Sequence, residues 1–83
     1  MQKKINKVKT YIWAELIAGR TVTEKSVYDA IGSRKGCERI HDLRRDLERS
    51  NAPYEIVTVM QKAPDGARYA RWHLEHLEPA EQL

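Results

Sequence analysis

The sequence predicts an α+β fold, three helices followed by a two-stranded β-hairpin. A break at Gly19, a break at Gly32 and a change of period after Pro53 predict it. Up to residue 49 apolar residues recur at helical spacing; beyond Pro53 two β-rich runs flank Ala63-Pro64-Asp65-Gly66. With 83 residues the chain makes one domain, read as residues 1–74 with an acidic tail at 75–83. The balance of 41% hydrophobic and 33% charged residues excludes a disordered chain and a membrane span.

Residues 3–18 read as the first helix. Ile5, Val8, Ile12 and Leu16 form one stripe, widened by Trp13 and Ile17. Lys3, Lys4, Lys7 and Lys9 oppose the helix dipole and are read as solvated. Gly19 stops this helix. Thr23 is a good N-cap for a short second helix, residues 24–31, with Val22 and Val27 placed as a hydrophobic staple. Its apolar face is Val27, Ala30 and Ile31. Gly32 ends it, and Ser33 is placed to cap the next helix at once. Two helices joined by so tight a turn have the shape of a helix-turn-helix.

The third helix is read as residues 34–49. On a helical wheel Ile40, Leu43, Leu47, Gly36 and Cys37 share the inner face. Gly36 there implies an approach to the second helix too close for a Cβ, and Cys37 is read as a buried thiol. The outer arc carries Arg34, Lys35, Glu38, Asp42, Arg45 and Arg49, flanked by Arg39 and Asp46. Arg44 falls near Ile40, so it is expected to be half-buried, structural and paired with an acidic residue. Asn51-Ala52-Pro53 ends the helix. Residues 54–61 are β-rich with apolar residues on both alternations, which leaves their inward register open. In the return strand, 68–74, Ala70, Trp72 and Leu74 point inward.

The string Arg39-Ile40-His41-Asp42-Leu43-Arg44 is the most specific part of the chain. With Ala-Gly-Arg-Thr-Val-Thr (18–23), Ile-Gly-Ser (31–33) and Arg-Tyr-Ala-Arg-Trp-His-Leu (68–74), it resembles the small winged helix-turn-helix domains common in phage and bacterial genomes. The resemblance covers residues 11–74. The link from Arg49 to Tyr54 is longer than the family pattern. What the resemblance implies is a winged helix fold, with the hairpin 54–74 as wing.

Charge points to the same kind of partner. The formal net charge is +3, and setting aside Glu75, Glu78 and Glu81 leaves 15 basic against 9 acidic residues in a compact body. Such a body suits double-stranded DNA. A helix-turn-helix places its second helix in the major groove, N-terminal residues nearest the bases. Here those are Ser33, Arg34, Lys35, Glu38 and Arg39, with Arg45 further along. Thr23 and the start of the second helix are expected to offer backbone N–H groups to a phosphate, and Lys62 and Arg68 to touch the backbone or minor groove from the wing. Readers of this kind often act as homodimers on two half-sites.

Other chemistries find less support. Cys37, His41, His73 and His76 are nominal zinc ligands, but their spacing matches no strong pattern. The chain has no glycine-rich phosphate loop and no nucleophile motif, so no enzyme, cofactor or small-molecule substrate is expected. One cysteine and no apolar leader suit the cytoplasm. The competing reading is a protein-interaction module on the same scaffold, favoured by the acidic residues Glu38, Asp42 and Asp46 among the arginines.

Overall fold

The computed structural model describes residues 6–77. Asn6 opens the first helix, its side-chain oxygen accepting from the Lys9 N–H at 3.1 Å. This helix, α1 (Lys7–Ile17), ends in a Schellman motif. The Gly19 N–H donates to the Leu16 carbonyl and the Arg20 N–H to that of Glu15, with Gly19 at φ +86°. The expected residues Lys3, Lys4 and Ile5 lie outside the described part of the chain.

Val22 and Thr23 form a two-residue strand, β1 (Val22–Thr23), which leads directly into α2 (Glu24–Ile31). The third helix, α3 (Gly36–Arg49), is followed by β2 (Tyr54–Lys62) and β3 (Arg68–His76). The described residues are therefore α+β, with three helices and a three-stranded antiparallel sheet in the order β1-β3-β2. The sheet corrects the expected two-stranded hairpin. The outer edge of β3 still has unmet backbone groups, and Val22 and Thr23 pair there with Trp72 and Arg71. Strand β3 also runs two residues further than expected, so Glu75 belongs to the sheet. Glu78 and Glu81 of the expected tail lie outside the described residues.

Every element contributes to one core. Ile12 and Leu16 come from α1, Val22 from β1, Val27 from α2, Ile40 and Leu43 from α3, Ile56 from β2 and Trp72 from β3. The open register of β2 resolves with Ile56 inward, opposite Leu74, and Val57 and Val59 on the far face. The apolar face expected on α2 shrinks to Val27. Ile31 lies on the same side but one turn further out, where the helix has passed the core, and it is 41% exposed. Ile17, one residue past the buried Leu16, turns outward for the same reason of position and is exposed.

Two features of α3 also differ from expectation. Gly36 is the first residue of the helix and is buried, but a Cβ there would meet Glu24 Cγ and Val27 Cγ2 at 3.6 Å, an ordinary contact. Nothing requires glycine at that position. Cys37 sits one turn before Ile40, beyond the end of the core, and is exposed.

Arg44 is half-buried, as its wheel position requires, but its partner is not an acid. Its guanidinium donates through Nε (3.2 Å) and Nη2 (2.8 Å) to the Ile56 carbonyl, and through Nη2 to Thr58 Oγ1 at 2.6 Å. The hairpin register explains this choice. The Leu77 N–H donates to the Pro53 carbonyl, and the Ala63 N–H to that of Ala67. Odd-numbered residues of β2 therefore exchange bonds with β3, and even-numbered ones face the open edge. The Ile56 carbonyl is one of these edge groups, and Arg44 fills the place a fourth strand would take.

The long link after α3 has a local cause too. Asn51 takes φ +55°, its N–H donates to the Glu48 carbonyl, and the Ala52 N–H donates to that of Leu47. This is a second Schellman motif, with asparagine in the left-handed position that glycine usually fills.

Two stability predictions follow from these contacts. Gly36→Ala is expected to be neutral or to stabilise by up to about 1 kcal/mol, by removing backbone freedom from the unfolded chain. Arg44→Ala is expected to cost about 1.5–3 kcal/mol, with Arg44→Lys recovering only part, because an ammonium on a shorter stem replaces the rigid Nε and Nη2 fork by one nitrogen. Urea unfolding followed by far-ultraviolet circular dichroism measures both.

Candidate nucleic-acid interface

The surface in question begins at the start of α2. The Thr23 hydroxyl oxygen accepts from the Ser26 N–H and the Ser26 hydroxyl oxygen accepts from the Thr23 N–H, each at 3.0 Å. This reciprocal capping box explains why the chain leaves β1 and enters α2 without a loop. It also corrects part of the role expected here, because the N–H groups of Thr23 and Ser26 are occupied within the capping box and not offered to a phosphate. Lys25, in the next turn, is held by Asp29 at 2.8 Å, and that hydrogen bond and charge raise its pKa above the ordinary lysine value.

The turn between α2 and α3 uses Gly32 at φ +72°. Ser33 does not cap α3. Its hydroxyl oxygen accepts from the Lys35 N–H at 3.1 Å, closing a short turn two residues before the helix, and Lys35 occupies the cap position without a side-chain bond. Ser33 is thus a local structural residue. Arg34 is exposed, its guanidinium carbon 5.2 Å from the centroid of the Tyr28 ring. That contact orders the side chain without neutralising it.

The charges of α3 are sorted more strictly than their spacing suggests. Arg39 lies between two carboxylates, with Nη2 3.1 Å from Glu38 Oε1 and Nη1 3.2 Å from Asp42 Oδ2. Its side chain is only 23% exposed, and its Nε is buried without an acceptor among the described residues. Arg39 is therefore committed to its neighbours and not presented as an open cation. Asp46 is taken by Lys9 of α1 at 2.6 Å, so that lysine, read from the sequence as solvated, is an inter-helix partner. Lys35 stands loosely 3.9 Å from Glu38, both well exposed. Arg45 is exposed and has no acidic partner among the described residues.

At the other end of the surface, Lys62 and Arg68 face each other across β2 and β3 at the base of the hairpin tip. Like charges placed directly opposite destabilise a strand pair. The tip is a tight turn in which the Gly66 N–H donates to the Ala63 carbonyl and Gly66 takes φ +92°, as its sequence predicts. A groove of about 670 Å³ separates the tip from the helices, with Glu24, Lys25 and Cys37 on one wall and Pro64, Arg68 and Tyr69 on the other. The first turn of α3 and the hairpin tip are thus neighbours across one open channel.

Sequence reasoning missed two participants. Tyr28 supports Arg34 across a glycine turn, where no periodicity rule applies. Lys9 finds Asp46 on another helix, a pairing visible only once the two helices pack. Among the described residues, no three His, Cys, Asp or Glu side chains gather closely enough to hold a metal ion. No described helix is long and apolar enough to cross a membrane. Comparison of the chain with protein-family models, curated proteins and solved structures returns no match.

Because Thr23 acts through its hydroxyl within the fold, Thr23→Ala is expected to cost about 1 kcal/mol of stability, and Thr23→Ser to retain most of it. Thermal melting of the two variants, side by side with the unmodified chain, tests this.

Proposed function

We propose that this chain is a sequence-reading DNA-binding protein of winged helix-turn-helix type, acting as a small regulator of transcription or recombination. The element order supports the architecture: helix, short strand, helix, tight turn, helix, hairpin, with the short strand closing the sheet. In this reading α3 enters the major groove by its N-terminal half, and the hairpin is the wing. Helix α3 is 14 residues long, so its first turns suffice to cross the groove floor.

One observation carries the proposal. Two acidic residues of α3 are matched by cations, Asp42 by Arg39 and Asp46 by Lys9, whereas Arg34, Arg45, Lys62 and Arg68 have no acidic partner among the described residues. Of these four, Arg34 lies just before the first turn of α3, Arg45 lies on α3, and Lys62 and Arg68 stand at the hairpin base, where Arg68 lines the groove. Arg34 and Lys35 are assigned to the base edges or the nearest phosphates. Lys62 and Arg68 are assigned to the backbone or minor groove beyond. A homodimer would place two such surfaces on successive half-sites.

The competing reading, a protein-interaction module, draws on the exposed apolar side chains Tyr28, Ile31 and Met60. Salt dependence separates the two. With four or five phosphate contacts, affinity for duplex DNA is expected to fall roughly a few hundredfold between 50 and 200 mM salt. Charge reversal of Arg34 and Lys35 is expected to abolish binding. Lys7→Glu serves as the control. It lies in the first turn of α1, the helix whose Lys9 bonds Asp46 about 15 Å along α3 from Gly36. Fluorescence anisotropy with mixed genomic fragments measures all three. Absence of binding at low salt overturns the proposal.

A further inference from the structure

We infer that Glu38 and Lys35 together form a donor-and-acceptor pair complementary to the major-groove edge of a C·G base pair, and that Arg39 is the strut that holds Glu38 in place. The inference rests on the DNA-binding reading above and names what that surface selects.

A C·G pair presents an amino donor, cytosine N4, beside two acceptors, guanine O6 and N7. The hydrogen bond within the pair sets the first donor and acceptor about 2.9 Å apart. A matching protein surface needs a carboxylate and a cation side by side, both exposed and neither locked to the other. Glu38 and Lys35 meet that description. Their charged atoms are 3.9 Å apart, beyond a good hydrogen bond, with side chains 62% and 66% exposed. They project from the first turn of α3 and the residue before it, the part of a reading helix nearest the bases.

A flexible glutamate would be a poor reader, since it must be ordered on binding and repels phosphate. Arg39 removes both problems. It fixes Glu38 Oε1 at 3.1 Å and partly neutralises it, while the contact with Asp42 Oδ2 at 3.2 Å anchors the guanidinium from the next turn. The other Glu38 oxygen has no partner among the described residues and remains as an acceptor. A carboxylate that cannot donate is turned away by the acceptors of guanine and by adenine N7. Cytosine is the base that offers it a donor with no adjoining acceptor.

Selection from a pool of randomised duplexes, followed by affinity measurement across salt concentrations, tests the inference with the full chain. The unmodified protein is expected to enrich a C·G pair at one fixed position. Glu38→Gln, a change at an exposed side chain, is expected to shift that position toward adenine by about tenfold, because an amide can bond adenine N6 and N7 together. Arg39→Met is expected to weaken the C·G preference by about tenfold while leaving the salt slope within about half a unit. Arg45→Gln is expected to lower the slope by about one and leave the preference intact. An unchanged preference in Glu38→Gln overturns the inference, as does a slope that falls by about one in Arg39→Met, which would make Arg39 a direct contact. Binding without preference at any position overturns it while DNA binding stands. No binding to any duplex overturns the DNA reading itself.

Discussion

The whole structure depends on a core of eight side chains to which every element contributes one or two. A domain of this size has no second cluster to fall back on. Each contribution therefore also positions its element. Val27 holds α2 by a single side chain, so the helix is steered mainly by its capping box and by the turn at Gly32. Ile40 and Leu43 fix the rotation of α3, and that rotation decides which charges face outward. The small core and the exposed surface are set by the same few contacts.

Arg44 extends this control to the sheet. By bonding an edge carbonyl of β2 it ties the middle of α3 to the hairpin, and so fixes the tip relative to the first turn of the helix. It also places a charge on an otherwise open strand edge, a feature that sheets commonly use to protect such edges. One side chain thus serves geometry and solubility together, at a place where an apolar residue would pack but leave the carbonyl unmet.

Much of the fold was legible in the sequence where local rules govern. The Gly19 and Gly32 stops, the Thr23 cap with its Val22–Val27 staple, the turn at Ala63-Pro64-Asp65-Gly66 and the half-burial of Arg44 each depend on residues near in sequence. Strand β1 was not legible, because two residues become a strand only by pairing with β3 some fifty positions away. Cys37 and Ile31 lie on the correct sides of their helices but beyond the ends of the core, and a wheel carries no information about length. At the candidate site, the identity of the charged residues was readable and their pairing was not. Arg39 reads from the sequence as an open cation, whereas Glu38 and Asp42 enclose it. The partner of Asp46 is Lys9, on another helix.

The bridge made by Arg39 has an evolutionary consequence. Changing Glu38 or Asp42 alone leaves half of a partly buried guanidinium unmatched, and changing Arg39 alone leaves two neighbouring carboxylates to repel each other. Positions 38, 39 and 42 are therefore expected to co-vary. A new preference on this face can begin with one replacement at Glu38, and rebuilding the bridge then calls for matched changes at Arg39 and Asp42, so covariation among those three positions is the mark such a lineage would leave.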